Sequence, residues 1–417
     1  MVVVDRRSPV ETSADHAAEL VEDLGLAGSD LVDVDRLAGA RPSWPVWPQL
    51  SLDELVGPPG ARLSSLDMRW LHRFQVAVGL LDILVAGVGG PEGGPSALSL
   101  LTERARMLGH TGWGSWSAGT SCRLVPCADG WLAVNLPRED DLEAVPALLG
   151  AEPAGDVWTQ LIDGIRDRTA ADIVERGQLL AMPVAAVPLA WHVDDQRRGR
   201  GRADRAVGPL VAVSGVHRWP EVPLVVDLTS LWAGPLAGMY LARAGAHVVK
   251  VESTGRPDGA RAGTPAFWRH LNAGKELVEL DFTSAAGRAE LARLIDRADV
   301  VIEASRPRAL EALGIDAAAQ VERGCTWCSI TGYGRSGPWH NRVAFGDDAA
   351  AAGALVTFVG EEPWFIGDAA ADPISGVAAA SGILARWATG TAGLVDVAMR
   401  DAVAHLTGGV PVSSAGS

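Results

Sequence analysis

The sequence predicts an α/β protein with a doubly wound, largely parallel sheet in its second half and a smaller α+β domain placed N-terminally. Three observations carry this. From residue 222 onward, short β-branched runs alternate with helical patterns across short loops, the signature of βαβ units. Before residue 215, helical patterns dominate and frame two short strands around an Asp129-Gly130 turn. A chain of 417 residues with 48% apolar content exceeds one ordinary core yet can fill two.

In the second half the expected strands are Val222–Leu228, His247–Glu252, Leu277–Asp281, Val300–Glu303 and Thr326–Ile330. The expected helices are Gly234–Ala244, ended by Gly245, the amphipathic Ala285–Ala298, and Pro307–Leu313, stopped by Gly314. Right-handed crossovers between such strands make the sheet mostly parallel. In the first half, helices are expected at Ala14–Leu24, Asp67–Ala86, Ser96–Leu108, Asp141–Leu149, Val157–Asp167 and Ala170–Leu180, with strands at Arg123–Pro126, Trp131–Asn135 and Pro183–Pro188. The Arg- and Gly-rich stretch Gln196–Arg205 reads as a linker or exposed loop. The expected division is an N-terminal helical extension over 1–66, an α+β unit over 67–215 and a nucleotide-fold domain over 222–417.

Composition narrows the function. A net charge of −15 with no Lys/Arg-rich run argues against a nucleic-acid surface, because backbone phosphates demand clustered positive charge. The N-terminus lacks the pattern of a secretory signal, and the apolar stretch Val76–Val88 carries Asp82 and is shorter than the roughly 20 residues of a membrane span. A cytoplasmic protein without membrane contact is the expectation. Cys325-x-x-Cys328 invites a metal or redox reading, but on a strand residues three apart face opposite ways, so buried reduced thiols are expected and no metal. The only lysines are Lys250 and Lys275, and Lys275 is as plausibly a structural ion-pair partner as a ligand contact.

The turn Leu228-Thr-Ser-Leu-Trp-Ala-Gly-Pro235 brings small residues and a helix start to the C-terminal edge of the sheet, where open α/β folds bind ligands. No G-x-G-x-x-G follows the first strand, which disfavours a dinucleotide-dependent oxidoreductase even though Glu252 ends the second strand.

A set of landmarks then becomes specific: Val225-Val-Asp-Leu-Thr-Ser-Leu-Trp-Ala-Gly-Pro235, Ala244-Gly-Ala-His-Val-Val-Lys-Val-Glu252, Asn272-Ala-Gly-Lys275, Asp299-Val-Val-Ile-Glu303, Ser329-Ile-Thr-Gly-Tyr-Gly334 and Asp372-Pro-Ile-Ser-Gly376. In order and spacing they resemble the large domain of the family III, or CaiB/BaiF, CoA-transferases. The resemblance implies a catalytic aspartate followed four residues later by glycine and then by a Gly-Ile-Leu-Ala helix. Asp372, with Gly376 and Gly382-Ile-Leu-Ala385, fits; Asp368 after Gly367 is the runner-up. Helix capping is the bland alternative for an Asp before Pro373.

The resemblance further implies CoA transfer from an acyl-CoA to a carboxylic acid, through an aspartyl anhydride and an aspartyl-CoA thioester, with CoA as substrate and no permanently bound cofactor. Positions matching the family's CoA contacts are Trp232, Ala233, Ser253, Leu271, Asn272, Ala273, Gly274, Lys275, Ala304, Ser305, Arg306, Ile330, Thr331, Gly332 and Tyr333. Ser253 and Ala312 stand where the family often has a basic residue; Arg256, Arg306 or Arg308 are the substitutes for a phosphate partner. The Trp232-Ala233-Gly234 turn and the Gly112–Gly119 stretch are candidates for stabilising oxyanions.

Racemases of the same fold pair a histidine with the aspartate; Phe345-Gly-Asp-Asp348 occupies the expected histidine position, which argues for transfer. A CoA-binding subunit without turnover is the other alternative. The segments Leu101–Leu149, Arg168–Glu175 and Met182–Val187 resemble the family's small domain, placed before the large one, which implies a circularly permuted arrangement; the family's habit implies a homodimer.

Overall fold

The computed structural model describes residues 9–29, 31–34, 37, 55–56, 68–112, 114–153, 155–189, 211–212, 216–305 and 307–412. In the second half, β5 (Leu224–Asp227), β6 (His247–Ser253), β7 (Glu276–Leu280), β8 (Val300–Glu303), β9 (Thr326–Thr331) and β12 (Gly393–Ala398) pair in parallel, and β4 (Val211–Ala212) joins one edge antiparallel. The strand order is β4-β12-β9-β8-β5-β6-β7, so the chain winds outward in both directions from β5 and β8. This is the doubly wound sheet that the alternating pattern predicts.

Both faces are covered, as a parallel sheet requires. Val225, Val248, Val300 and Ile302 face one apolar core, while Val226, Val249, Val251 and Val301 face the other. Cys328 belongs to the first and Cys325 to the second; both are buried and unpaired, and burial pushes the Cys325 thiol up to about 12. Against the second face pack α10 (Ala285–Arg297), capped by Ser284 Oγ accepting from Gly287 N, and α12 (Ala317–Glu322).

The first face is built from both ends of the chain. It is covered by α7 (Ala233–Arg243), α14 (Ala371–Ala388) and α15 (Met399–Thr407), and also by α1 (Pro9–Asp23) and α2 (Arg69–Gly87). Fourteen of the eighteen residues of α14 are buried, because alanine, glycine and serine on all sides let neighbours close in around it. Gly376 sets the closest approach: a Cβ there would lie 2.7 Å from the Ala233 carbonyl, so only glycine lets α14 press on the start of α7. By length and composition α2 alone among the described helices could cross a membrane, but nine of its nineteen residues are buried against this core.

The α+β unit comprises β1 (Cys122–Cys127), β2 (Gly130–Asn135) and β3 (Val184–Ala186), an antiparallel sheet whose turn falls at Asp129-Gly130 as expected, with α4 (Glu139–Leu149), α5 (Val157–Ile165) and α6 (Ala170–Leu179) on one face. Its other face meets α13 (Gly346–Ala352) and the hairpin β10 (Val356–Val359) and β11 (Glu362–Phe365). The expected boundary at residue 67 is cut across by the packing. Helix α2 and α3 (Ala97–Leu108) join the large core, because their apolar faces find α14 and α7 rather than the small sheet. The stretch Gln196–Arg205 lies outside the described residues.

Candidate active site

Two helix starts and the end of α3 meet beside the C-terminal edge of the sheet. Helix α13 opens with Gly346-Asp347-Asp348, α14 with Ala371-Asp372, and α3 contributes Arg104, followed by His110. Each aspartate has a different neighbourhood, and the neighbourhood sets its chemistry.

Asp368 is fully buried and spoken for. Arg104 donates from Nε to Oδ2 at 2.8 Å and from Nη2 to Oδ1 at 2.5 Å, a two-pronged pair, and His110 Nδ1 lies 3.3 Å from Oδ2. Burial alone would raise its pKa, but the His110 hydrogen bond and the Arg104 charge outweigh it and hold Asp368 at about 2. The Arg104 guanidinium also lies 4.9 Å over the ring of buried Trp232.

Asp347 and Asp348 are buried and hydrogen-bonded. Asp347 Oδ1 accepts from Ala369 N at 2.9 Å, pinning a turn in which Ala369 is held at φ +46, a conformation that costs a non-glycine residue energy. Asp348 Oδ1 accepts from Asn135 Nδ2 and from Phe345 N, both at 2.9 Å, which ties the small sheet to the start of α13. Burial, with the like charge of Asp368 adding to it, brings Asp347 to about 6; burial is also the main reason Asp348 stands at about 7.

Asp372 differs from all three. It stands in the first turn of α14, is part-exposed, and its carboxylate makes no hydrogen bond or ion pair among the described residues. Desolvation raises it to about 7, with Arg104 pulling the other way and Asp347 and Asp368 adding to the rise. Gly346 gives it room: a methyl group there would overlap Asp372 Oδ2 and the Ala369 carbonyl. The glycine-rich stretch reaches this cluster, since a Cβ on Gly119 would meet Arg104 Nη2 at 3.6 Å and Asp368 Oδ1 at 4.0 Å. Asp372 and Gly376 lie one helical turn apart, so the carboxylate shares a face with the contact to the Ala233 turn.

The positions predicted to touch CoA divide into two sets. Ser253, Ala273, Gly274, Ala304, Ser305, Thr331 and Tyr333 are exposed or part-exposed along the ends of β6, β8 and β9 and the loop before β7. Trp232, Ala233, Leu271, Asn272, Ile330 and Gly332 are buried. Trp232 packs edge-on against Phe267, with ring centres 5.0 Å apart, and serves as a wall under Arg104. Lys275 is a correction. Its ammonium group, with no exposure, donates to Asp227 Oδ2 at 2.9 Å, Pro235 O at 2.8 Å and Asn272 Oδ1 at 3.0 Å, so all three protons are used within the fold. Lys250 likewise turns inward, to the Thr229 carbonyl and Asp258. Together they brace the β5–α7 turn, where Asp258 Oδ1 also accepts from Leu231 N, a residue at φ +69. Arg256 is exposed; Arg306 and the side chain of Arg308 lie outside the described residues.

The sequence reading missed Arg104, His110, Asn135 and the buried roles of Asp347 and Asp348. Arg104 and His110 are separated from Asp368 by 264 and 258 residues, and no local pattern announces such a pairing.

The fold and site together define an α/β protein with a cluster of largely buried carboxylates beside the edge where such sheets bind ligands. Residues 223–416 match the profile of CoA-transferase family III. It is similar to a succinyl-CoA–D-citramalate CoA-transferase of Chloroflexus aurantiacus, 30% identical over 198 residues, 44% of this chain and 49% of that one. A succinate–glutarate CoA-transferase of Agrobacterium fabrum is 31% identical over 179 residues, 39% and 45% of the two chains. The chain spans about half the length of the curated relatives it matches. Among solved structures, a CaiB/BaiF family protein of Brucella suis aligns with TM-score 0.40 at 30% identity, over 46% of this chain and 55% of that one.

Proposed function

We propose that the protein moves CoA between carboxylic acids, with Asp372 as the nucleophile. The observation that carries this is the contrast between the two aspartates of the α14 entry. Asp368 is locked by Arg104 and His110, whereas Asp372 is part-exposed and uncommitted. A nucleophilic carboxylate must be reachable and must not be held by a guanidinium, and Asp372 alone satisfies both.

The chemistry runs in four displacements. An Asp372 carboxylate oxygen attacks the acyl-CoA carbonyl, the C–S bond breaks, and CoA thiolate leaves behind an acyl–aspartyl anhydride. The thiolate attacks the aspartyl carbonyl, releasing the acyl group as a carboxylate and forming an aspartyl-CoA thioester. The acceptor carboxylate attacks that thioester, giving a second anhydride and free thiolate. Thiolate then attacks the acceptor's acyl carbonyl, and Asp372 departs as carboxylate. Each oxyanion needs donors, for which the Ala233-Gly234 helix start and the stretch around Gly119 are placed nearby. The band from Ser253 through Ala304 and Ser305 to Tyr333 is the proposed bed for CoA, with exposed Arg256 as a phosphate partner.

In this reading the α+β unit at residues 122–189 takes the place of the family's small domain in a permuted order, and its Asn135–Asp348 contact closes the site from the side. The test is to incubate the protein with a panel of acyl-CoAs, quench with hydroxylamine and sequence the peptides by mass spectrometry. A hydroxamate at Asp372, lost in Asp372→Ala, supports transfer; a hydroxamate at Asp368 moves the nucleophile and overturns the assignment.

One observation favours a second reading. The histidine that a racemase would need, absent near Phe345, is supplied from the N-terminal side as His110, oriented by Asp368. With Asp372 near neutrality, two groups able to exchange an α-proton share the site. Solvent deuterium entering the α-carbon of a branched acyl-CoA, without any aspartyl adduct, would decide for it.

A further inference from the structure

Away from the carboxylate cluster, α1 and α15 present three side chains to one another. His16 and Glu19, three residues apart on α1, share a face, and His405 projects from α15. The donor atoms of the three lie within 4.8 Å of one another. His405 Nε2 is 3.9 Å from Glu19 Oε2, and the imidazole rings sit 4.7 Å apart, tilted at 42°.

We propose that His16, Glu19 and His405 bind one divalent transition-metal ion of the zinc class and so fasten the first helix to the last. The orphaned nitrogens point to it. His16 is only 2% exposed, yet its Nε2 and the Nε2 of His405 are both buried without a hydrogen-bond partner. A buried polar atom left bare costs stability, and two of them facing one carboxylate is what a ligand set looks like without its ion. The second ring position of His16 is settled by a hydrogen bond to the Arg73 backbone, the arrangement that leaves Nε2 as the ligating atom. Glu19, exposed, supplies the negative charge that offsets Arg73 and opens the site to solvent, leaving a fourth position for water.

Imidazole with carboxylate selects zinc, nickel, cobalt or copper over magnesium and calcium. Tetrahedral zinc with bonds of about 2.0–2.1 Å brings its donors to roughly 3.4 Å from one another, so rotation of the Glu19 and His405 side chains by about an ångström completes the geometry. The consequence reaches α14, because α1 and α15 flank its Ile374, Val377 and Ser381 face, which begins within the same helical turn as Asp372.

The experiment uses the full chain without an affinity tag, stripped with chelator, and titrated with Co2+ while visible absorption is read, then with Zn2+ by calorimetry. One equivalent with cobalt d–d bands is expected. Glu19→Ala changes an exposed residue and keeps the fold; it should weaken Zn2+ binding roughly tenfold or more, and His405→Gln should abolish the bands. A Zn2+-dependent rise in thermal midpoint in the wild type, reduced in Glu19→Ala and absent in His405→Gln, supports the site. Absence of cobalt bands, or equal Zn2+ affinity in wild type and both variants, overturns it.

Discussion

Replacing Arg104 by methionine tests the electrostatic account of the cluster. Asp368 has no exposure, and its pKa falls from an ordinary 3.8 to about 2. At about 1.36 kcal/mol per unit, that shift makes the ionised form worth about 2 kcal/mol of folding stability at neutral pH. Because the folded pKa is depressed, this stability is present above pH ~4 and is lost as pH falls towards about 2. Removing Arg104 leaves a buried charge with His110 alone, a change that typically costs 3–5 kcal/mol, and about 0.5–1 kcal/mol of it comes from the contact with the Trp232 ring. The expected result is a loss of about 3 kcal/mol between pH 5 and 8, measured by urea unfolding followed by circular dichroism, shrinking below pH ~4 and nearing the ring-contact part only towards pH ~2. In the double variant Arg104→Met/Asp368→Asn most of the loss should be recovered, since neither charge remains. A loss below about 1 kcal/mol at pH 7, or a gap that does not narrow at low pH, refutes the reasoning.

Asp372→Asn should abolish adduct formation while raising stability at pH 8. Its folded pKa is raised, so ionisation costs stability as pH climbs from about 4 to about 7, and the variant should lose its advantage below pH 4 in the same unfolding assay. For the wild type, single-turnover acylation should rise with pH through an apparent pKa near 7 and then level off; a rate already maximal at pH 5 would contradict an ionised Asp372 nucleophile. Gly346→Ala should displace Asp372 and the Ala369 turn, lowering acylation at least a hundredfold, by about 3 kcal/mol in the barrier. Lys275→Met should strip buried Asp227 of its direct ion-pair partner, leaving the Thr229 hydrogen bonds and the Lys250 charge, and cost about 3 kcal/mol of stability by the same urea measurement.

What could be read from sequence follows the range of the interactions. The sheet was legible because β-branched runs and short loops are local signals, and the Asp372-to-Gly376 spacing was legible because both residues sit on one helix. The helices α2 and α3 were found as helices but assigned to the wrong core, since an apolar stripe records that it is buried and not against what. Arg104 and His110 were invisible for a related reason: an ion pair across more than 250 residues leaves no trace in either local stretch. Lys275 was misplaced as a cofactor contact because a lysine beside a ligand edge reads the same whether its ammonium group turns outward to a phosphate or inward to Asp227, Pro235 and Asn272.

The sharing of one core by both ends of the chain has a consequence for synthesis. Arg73 of α2 donates to the Leu406 carbonyl of α15, a partner 333 residues later. At about 5–20 residues per second, roughly 15–70 s of translation separate the two. Through that interval α2, with Trp70, Leu71, Phe74, Leu81 and Leu84 buried in the finished fold, has α1 and α3 to pack on but still lacks α14 and α15. The emerging chain thus carries a helix with part of its apolar surface uncovered for most of its time on the ribosome, and its yield should depend on holdase chaperones more than that of a protein whose helices pack on sequence neighbours alone.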